Sequence, residues 1–195
     1  MQNDERPEIV TEFLRRWNAL PNKQRFHLAP EVPVSEMQVA AATHSDPWLR
    51  RACLSFLDHY ANDASTHTFL AALDDPVTFV REMALHGLAC EQCRAAELCV
   101  SDVLPVLTRV LATDSSPEVR QRVIPILVRL SDRDPRAREA LARSAVSDDD
   151  SLIRDVAAAA LEGQVRDAAR SRHDLRRRMK TRRGKATRMP SLSTG

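Results

Sequence analysis

Apolar residues recur along this chain at the spacing of an α-helix, and one pattern centred on an arginine appears four times. In each copy an aliphatic residue precedes the Arg, apolar residues follow it three and four positions later, and a Leu follows it seven positions later. These offsets put the apolar residues on one face of a helix. The pattern therefore predicts four similar amphipathic helices, which carry Arg50, Arg81, Arg120 and Arg154.

Each of these helices has a start signal and a second apolar stretch upstream. Pro47, Pro76 and Pro117 stand where the first turn of a helix tolerates proline, and acidic residues fill this place in the fourth copy. The intervals between the four arginines are 31, 39 and 34 residues. Together these features predict four stacked helical hairpins. The upstream apolar stretches cover residues 37–42, 69–73, 103–111 and 137–145.

The two ends of the chain differ from this repeated region. Residues 4–20 predict one amphipathic helix that caps the first repeat. Its apolar side carries Ile9, Phe13, Leu14 and Trp17. We therefore expect three parts: a capping helix and connector at 1–33, a repeat domain at 34–163, and a basic tail at 164–195.

Three Asp–Arg pairs in the repeat domain share a six-residue spacing. They are Asp75 and Arg81, Asp114 and Arg120, and Asp148 and Arg154. This pattern resembles HEAT repeats, including the short HEAT-like repeats of bilin lyases, over about residues 34–163. The resemblance implies an all-α, right-handed solenoid in which these residues form a hydrogen-bonded ladder along the stack. The first repeat departs from the pattern, because His44 stands six residues before Arg50.

Composition and charge support a helical protein with two electrostatic parts. The chain has only 4 Gly and 4% aromatic residues, which argues against a β-sandwich or barrel. Arg outnumbers Lys by 26 to 3, a bias that indicates a bacterial source. From residue 164 onward there are 11 basic and two acidic residues, whereas the rest of the chain has 18 basic and 25 acidic residues. We expect such a charged tail to be disordered.

The sequence favours a binding protein over an enzyme. It contains no nucleotide-binding loop and no recognisable catalytic set, and a HEAT-like lyase or DNA glycosylase is the enzyme alternative. A helical solenoid offers an extended concave surface, so we expect a non-catalytic adaptor that binds a protein there without a cofactor. The residues predicted to line that surface are Phe56, Met83, Arg122 and Arg129.

Two alternatives remain open. The first is nucleic-acid binding through phosphate contacts of the tail, whose basic cluster consists of Arg176, Arg177, Arg178, Lys180, Arg182 and Arg183. The second is a metal or redox site formed by His59, His86, Cys90 and Cys93, since thiolates and imidazoles suit tetrahedral Zn²⁺. The competing interpretation of the second set is inert, reduced thiols, because free Cys behaves as a small hydrophobe.

The chain shows no sign of secretion or of a membrane span. Its first twelve residues are polar and acidic, unlike a signal peptide, and no apolar run approaches the roughly 20 residues of a transmembrane helix. Four cysteines without a signal are typical of a reducing compartment. We therefore expect a cytoplasmic protein.

Overall fold

The computed structural model describes residues 6–19, 34–91, 93–94 and 97–163, and within these residues it is helical with no strands. The predicted helix at the N-terminus and the four predicted hairpins are confirmed. A short 3₁₀ turn, Ala72–Asp74, directly follows the helix Thr66–Ala71. The helices are α1 (Arg6–Ala19), α2 (Val34–Thr43), α3 (Pro47–Tyr60), α4 (Thr66–Ala71), α5 (Thr78–Ala89), α6 (Val100–Thr113), α7 (Pro117–Leu130), α8 (Pro135–Ser147) and α9 (Ser151–Leu161).

The predicted start signals act as helix caps in three of the four Arg-bearing helices. Asp46, Ser116 and Asp150 each accept a hydrogen bond from a backbone N–H in the first turn, which satisfies a group that the helix itself leaves unpaired. The prediction is wrong in the second repeat. There the helix begins at Thr78 rather than at Pro76, and the Asp75 carboxylate accepts from the Val77 N–H before the helix starts.

The helices form two layers. The Arg-bearing helices α3, α5, α7 and α9 pack side by side in chain order, and α2, α4, α6 and α8 each pack on the helix that follows them. A continuous core of aliphatic residues lies between the layers. This is the two-layer stack of an α-solenoid, in which each hairpin buries its apolar face against its neighbours.

Helix α1 covers the first hairpin, as predicted. Phe13, Leu14 and Trp17 are at most 5% exposed, and Val10 joins them in the core. The helix contacts both α2 and α3. It therefore closes the apolar end that the first repeat would otherwise present to water.

The Arg–Asp ladder is present, and Arg50, Arg81 and Arg120 are each held on two sides. Arg154, in the fourth repeat, donates to the backbone carbonyls of Asp148 and Asp149 in its own repeat. Arg81 donates from Nε and Nη2 to both carboxylate oxygens of Asp114 in the next repeat, at 2.8 Å each. From Nη1 it donates to the backbone carbonyl of Asp75 in its own repeat, at 2.9 Å. Arg120 repeats this arrangement with Asp148 and with the carbonyl of Asp114. The six-residue spacing in the sequence thus corresponds to a backbone hydrogen bond, while the ion pair joins successive repeats.

The first repeat takes part in the ladder despite its His44. Arg50 forms a bidentate ion pair with Asp75, at 2.6 and 2.9 Å, and its Nη1 donates to the backbone carbonyl of His44 at 2.8 Å. Only the carbonyl is needed at this position, because the described residues before it contain no ladder arginine that would pair with a carboxylate here. The departure seen in the sequence is therefore compatible with a complete first rung.

The carboxylate of Asp148 in this ladder makes the stability of the fold depend on pH. Arg120 and the Asp150 N–H outweigh the effect of burial and lower the pKa of Asp148. The unfolded chain, with an Asp pKa of about 3.9, then binds the proton first, so stability is lost as the pH falls below about 5 and through the lower folded pKa. We expect Asp148→Asn to reduce this loss in urea unfolding between about pH 6 and pH 3. Asp149→Asn, which alters an exposed neighbour, is the control, and equal slopes for both variants would contradict the prediction.

Candidate functional site

The most exposed aromatic side chain that the structure describes lies on the layer of Arg-bearing helices. Trp48, in the first turn of α3, is 64% exposed. Its ring stacks on that of Phe79 in α5, with centroids 4.3 Å apart and an interplanar angle of 21°. Both residues stand two positions before a ladder arginine, so equivalent sites of neighbouring repeats form this aromatic pair. The sequence prediction missed it, although the repeat register contained the signal.

Two of the predicted partner-binding residues, Arg122 and Arg129, lie partly exposed on α7. Arg122 Nε pairs with Glu82 of α5 at 3.1 Å, and Arg129 Nη1 pairs with Glu91 at 2.6 Å. Arg129 Nη1 also donates to the carbonyl of Ala89. These contacts join the second and third repeats, and they leave both guanidinium groups about two-fifths exposed.

The other two predicted partner-binding residues belong to the core, which corrects that part of the prediction. Phe56 is fully buried, because the rings of Phe13 and Trp17 pack edge-on against it with centroids 5.2 and 5.6 Å away. Met83 is 8% exposed. Neither side chain is therefore available to a partner.

The predicted His and Cys candidates do come together, around a residue that the sequence analysis missed. Helix α5 ends at Ala89, so Cys90 and Cys93 lie in the following loop rather than on a continued helix. His59 Nδ1 is 3.4 Å from Cys93 Sγ, and His86 Nε2 is 3.4 Å from Asp58 Oδ2. Asp58 was detectable in the repeat register, because this carboxylate stands eight residues after a ladder arginine where the next two repeats have Ala and Val.

The buried Asp58 carboxylate is only partly satisfied by hydrogen bonds. Asn62 Nδ2 donates to Oδ1 at 2.8 Å and also to the Gly87 carbonyl, which ties the first repeat to the second. Oδ2 accepts no hydrogen bond from the described part of the chain. Burial would raise the pKa of Asp58, but the imidazoles of His86 and then His59 outweigh it, so that the pKa is lowered.

The cysteines differ in accessibility. Cys53 is buried in the core, whereas Cys99 is exposed and lies apart from the cluster. Burial, with contributions from Cys90 and the Asp58 carboxylate, raises the pKa of Cys93 to about 12. The thiol is therefore protonated at neutral pH unless a cation displaces the proton.

A cavity of about 280 Å³ opens beside this cluster, at the ends of α5 and α7. Its positive charge comes from Arg94, Arg129 and Arg133, and its negative charge from Glu91 and Glu97. Arg94 Nε and Nη2 are buried without a hydrogen-bond partner in the described chain. Desolvation therefore lowers the pKa of Arg94. The mixed charges of the lining do not select one class of ligand.

Some predicted features lie outside the described residues. The basic cluster between Arg176 and Arg183 belongs to residues 164–195, and so does the expected disorder of the tail. Nucleic-acid binding by the tail stays a prediction. Among the helices that the structure describes, none has the length and hydrophobicity needed to cross a bilayer.

Comparison with known proteins agrees with the repeat architecture. Residues 89–162 match the protein family described as HEAT repeats. Neither the curated proteins nor the solved structures gave a match to the chain. The matched residues contain the third and fourth hairpins, and the same Arg–Asp ladder continues from them through the second hairpin to the first. The third and fourth hairpins are therefore similar to HEAT repeats. The continuing ladder gives the first two hairpins the same architecture.

Proposed function

We propose that this protein is a non-catalytic interaction module that binds another protein on the surface formed by α3, α5, α7 and α9. The observation that carries the proposal is the exposed Trp48 stacked on Phe79. Exposing an indole to water is unfavourable, and aromatic residues with rigid support are enriched among those that dominate binding energy. The partner is expected to cover Trp48 with an apolar or aromatic side chain.

The charges near this aromatic pair give the surface its second feature. Arg122 of α7 pairs with Glu82 of α5, and both side chains are partly exposed. A charged rim around an apolar centre is the usual anatomy of a protein–protein interface. The rim contributes orientation and association rate more than affinity, so Trp48 is expected to dominate the binding energy.

Substitution of the exposed tryptophan tests this proposal. We expect Trp48→Ala to weaken partner binding by about 30-fold or more, the effect of losing about 2 kcal/mol at an interface centre. Val146→Ala is the matched control, because Val146 is 83% exposed on α8, in the other layer. Partners are captured from a lysate of the source organism with full-length protein, identified by quantitative mass spectrometry, and their affinity is then measured by calorimetry.

Deleting residues 164–195 separates this proposal from binding through the tail. Partner capture is expected to survive the deletion and nuclease treatment, and to be lost with Trp48→Ala. The proposal fails if Trp48→Ala and Val146→Ala retain the same partners with the same affinity, or if all capture disappears with the tail.

A further inference from the structure

The cluster around Asp58 brings oxygen, nitrogen and sulfur ligands together at the junction of the first two repeats. We propose that it binds one Zn²⁺ ion through Asp58, Cys90, Cys93 and one imidazole, from His86 or His59. The role is structural, because four protein ligands leave no open position on a tetrahedral ion. Nothing in the proposed interaction function requires this site.

The distances within the cluster fit zinc coordination. The ligand atoms of Asp58, His86 and Cys90 lie within 4.8 Å of one another, and so do those of Asp58, His59 and Cys93. A tetrahedral zinc ion with Zn–N and Zn–S bonds of about 2.0–2.3 Å holds neighbouring ligand atoms about 3.3–3.8 Å apart. Two distances within the cluster, from His86 Nε2 to Asp58 Oδ2 and from Cys93 Sγ to His59 Nδ1, are both 3.4 Å. The two triads share Asp58, which therefore lies next to the ligands of both. A single ion bound to one triad would have to draw in the second cysteine to complete the proposed set of four ligands.

The burial of Asp58 supplies an independent reason for a cation. The residue is 0% exposed, and its Oδ2 accepts no well-formed hydrogen bond from the described chain. The ring nitrogen next to it, His86 Nε2, lies 3.4 Å away. A buried carboxylate needs a compensating charge, and a buried polar atom without a partner is costly. A divalent ion beside Oδ2 meets both requirements, whereas the single amide donor of Asn62 satisfies only Oδ1.

The types and positions of the ligands favour zinc over other ions. Thiolate ligands disfavour Mg²⁺ and Ca²⁺, and a mixture of thiolate, imidazole and carboxylate suits Zn²⁺. Asp58 and His59 lie in the last turn of α3, and His86 lies in α5. The cysteines lie in the loop after α5. Binding would deprotonate both thiols, release the protons to solvent, and fasten this loop to two repeats.

Metal binding by the reduced full-length chain, purified without a histidine tag, tests the site. Elemental analysis after growth with added zinc is expected to give about one Zn²⁺ per chain. The protein is then freed of metal with a chelator and titrated with Zn²⁺ against a competing chromophoric chelator. Cys90→Ser, Cys93→Ser and Asp58→Asn are each expected to weaken binding more than about tenfold. Cys99→Ser alters an exposed cysteine outside the cluster and is expected to bind as the wild type does.

The choice of imidazole is resolved by His86→Gln and His59→Gln, of which at least one is expected to weaken binding more than about tenfold. Circular dichroism identifies any variant that fails to fold, and thiol alkylation of the wild type gives a readout without substitution. Added Zn²⁺ should protect Cys90 and Cys93 from alkylation while Cys99 reacts at an unchanged rate. The proposal is overturned if the wild type binds no more zinc than the Cys93→Ser variant, or if zinc leaves the alkylation of Cys90 and Cys93 unchanged.

Discussion

Replacing Arg120 by Met is expected to lower the free energy of unfolding by about 3–5 kcal/mol, the usual cost of leaving a buried charge without its partner. Asp148, the partner, has a side chain that is only 5% exposed, and the variant would strand its carboxylate between two repeats. The same substitution also removes the hydrogen bond from Arg120 Nη1 to the Asp114 carbonyl. Methionine keeps most of the aliphatic stem, so the loss reports the guanidinium rather than a cavity.

Arg122→Met is a closely matched control for this experiment. Arg122 lies two residues further along α7 and is also paired with a carboxylate, but its side chain is 40% exposed. Exposed ion pairs contribute about 0–1 kcal/mol, so the control should lose no more than that. Urea unfolding followed by circular dichroism measures both variants, and similar losses would show that the ladder has no special role in stability.

A double variant tests the physical cause of the loss. Arg120→Met with Asp148→Asn removes both charges, while the asparagine keeps an oxygen that can accept from the Asp150 N–H. If the cost arises from a stranded carboxylate, the double variant should be more stable than Arg120→Met alone. If the double variant is as unstable as Arg120→Met or less stable, the loss would instead come from the missing attraction between Arg120 and Asp148.

The helical hairpins could be predicted from the sequence because they depend on short-range patterns. Helix α7, for example, follows a cap at Ser116 and a first-turn Pro117. The offsets around Arg120 put Val119, Val123 and Leu127 in the core. The ladder pairing was harder to predict. Its ion pairs join residues 25, 33 and 28 positions apart, and these separations vary with the length of the intervening helix and loop.

The exposed face was assigned less accurately, and the helix geometry explains the error at Phe56. It does not explain Met83, which stands two residues after Arg81 and is nevertheless buried. Positions two before and two, five and nine after the ladder arginine centre on one direction, since each residue advances by about 100° around a helix. The position six after the arginine points about 70° away from that direction. Its occupants are all buried: Phe56, Gly87, Ile126 and Ala160. Phe56 was therefore included on the wrong face, while Trp48, two residues before Arg50, was omitted.

The metal-binding candidates show what a sequence can and cannot supply. His59 and Cys93 are 34 residues apart, and their proximity depends on how the loop after α5 returns towards the end of α3. No local pattern encodes that return. The repeat register sets Asp58 apart from the second and third repeats, which have Ala89 and Val128 at this position, although the fourth repeat also has a carboxylate there, Glu162.

Truncating Phe56 is expected to produce the other large loss of stability, about 3–5 kcal/mol, as for aromatic-to-Ala changes in a packed core. Its ring lies among those of Phe13, Trp17 and Tyr60, so the truncation opens a cavity beneath α1. Trp17 is 3% exposed, and we expect its fluorescence to shift to the red as α1 loosens. The measurement uses a Trp48→Phe background, in which Trp17 is the remaining tryptophan.

A comparison of Phe56 with Trp48 distinguishes the core from the binding surface. Phe56→Ala should lower the urea midpoint strongly, whereas Trp48→Ala should change it little, because most of the Trp48 side chain is already in water. Under conditions where Phe56→Ala remains folded, Trp48→Ala should weaken partner binding strongly and Phe56→Ala should change it little. If Phe56→Ala kept full stability and lost the partner, Phe56 would belong to the interface after all. The role of α1 as a cap would then have to be abandoned.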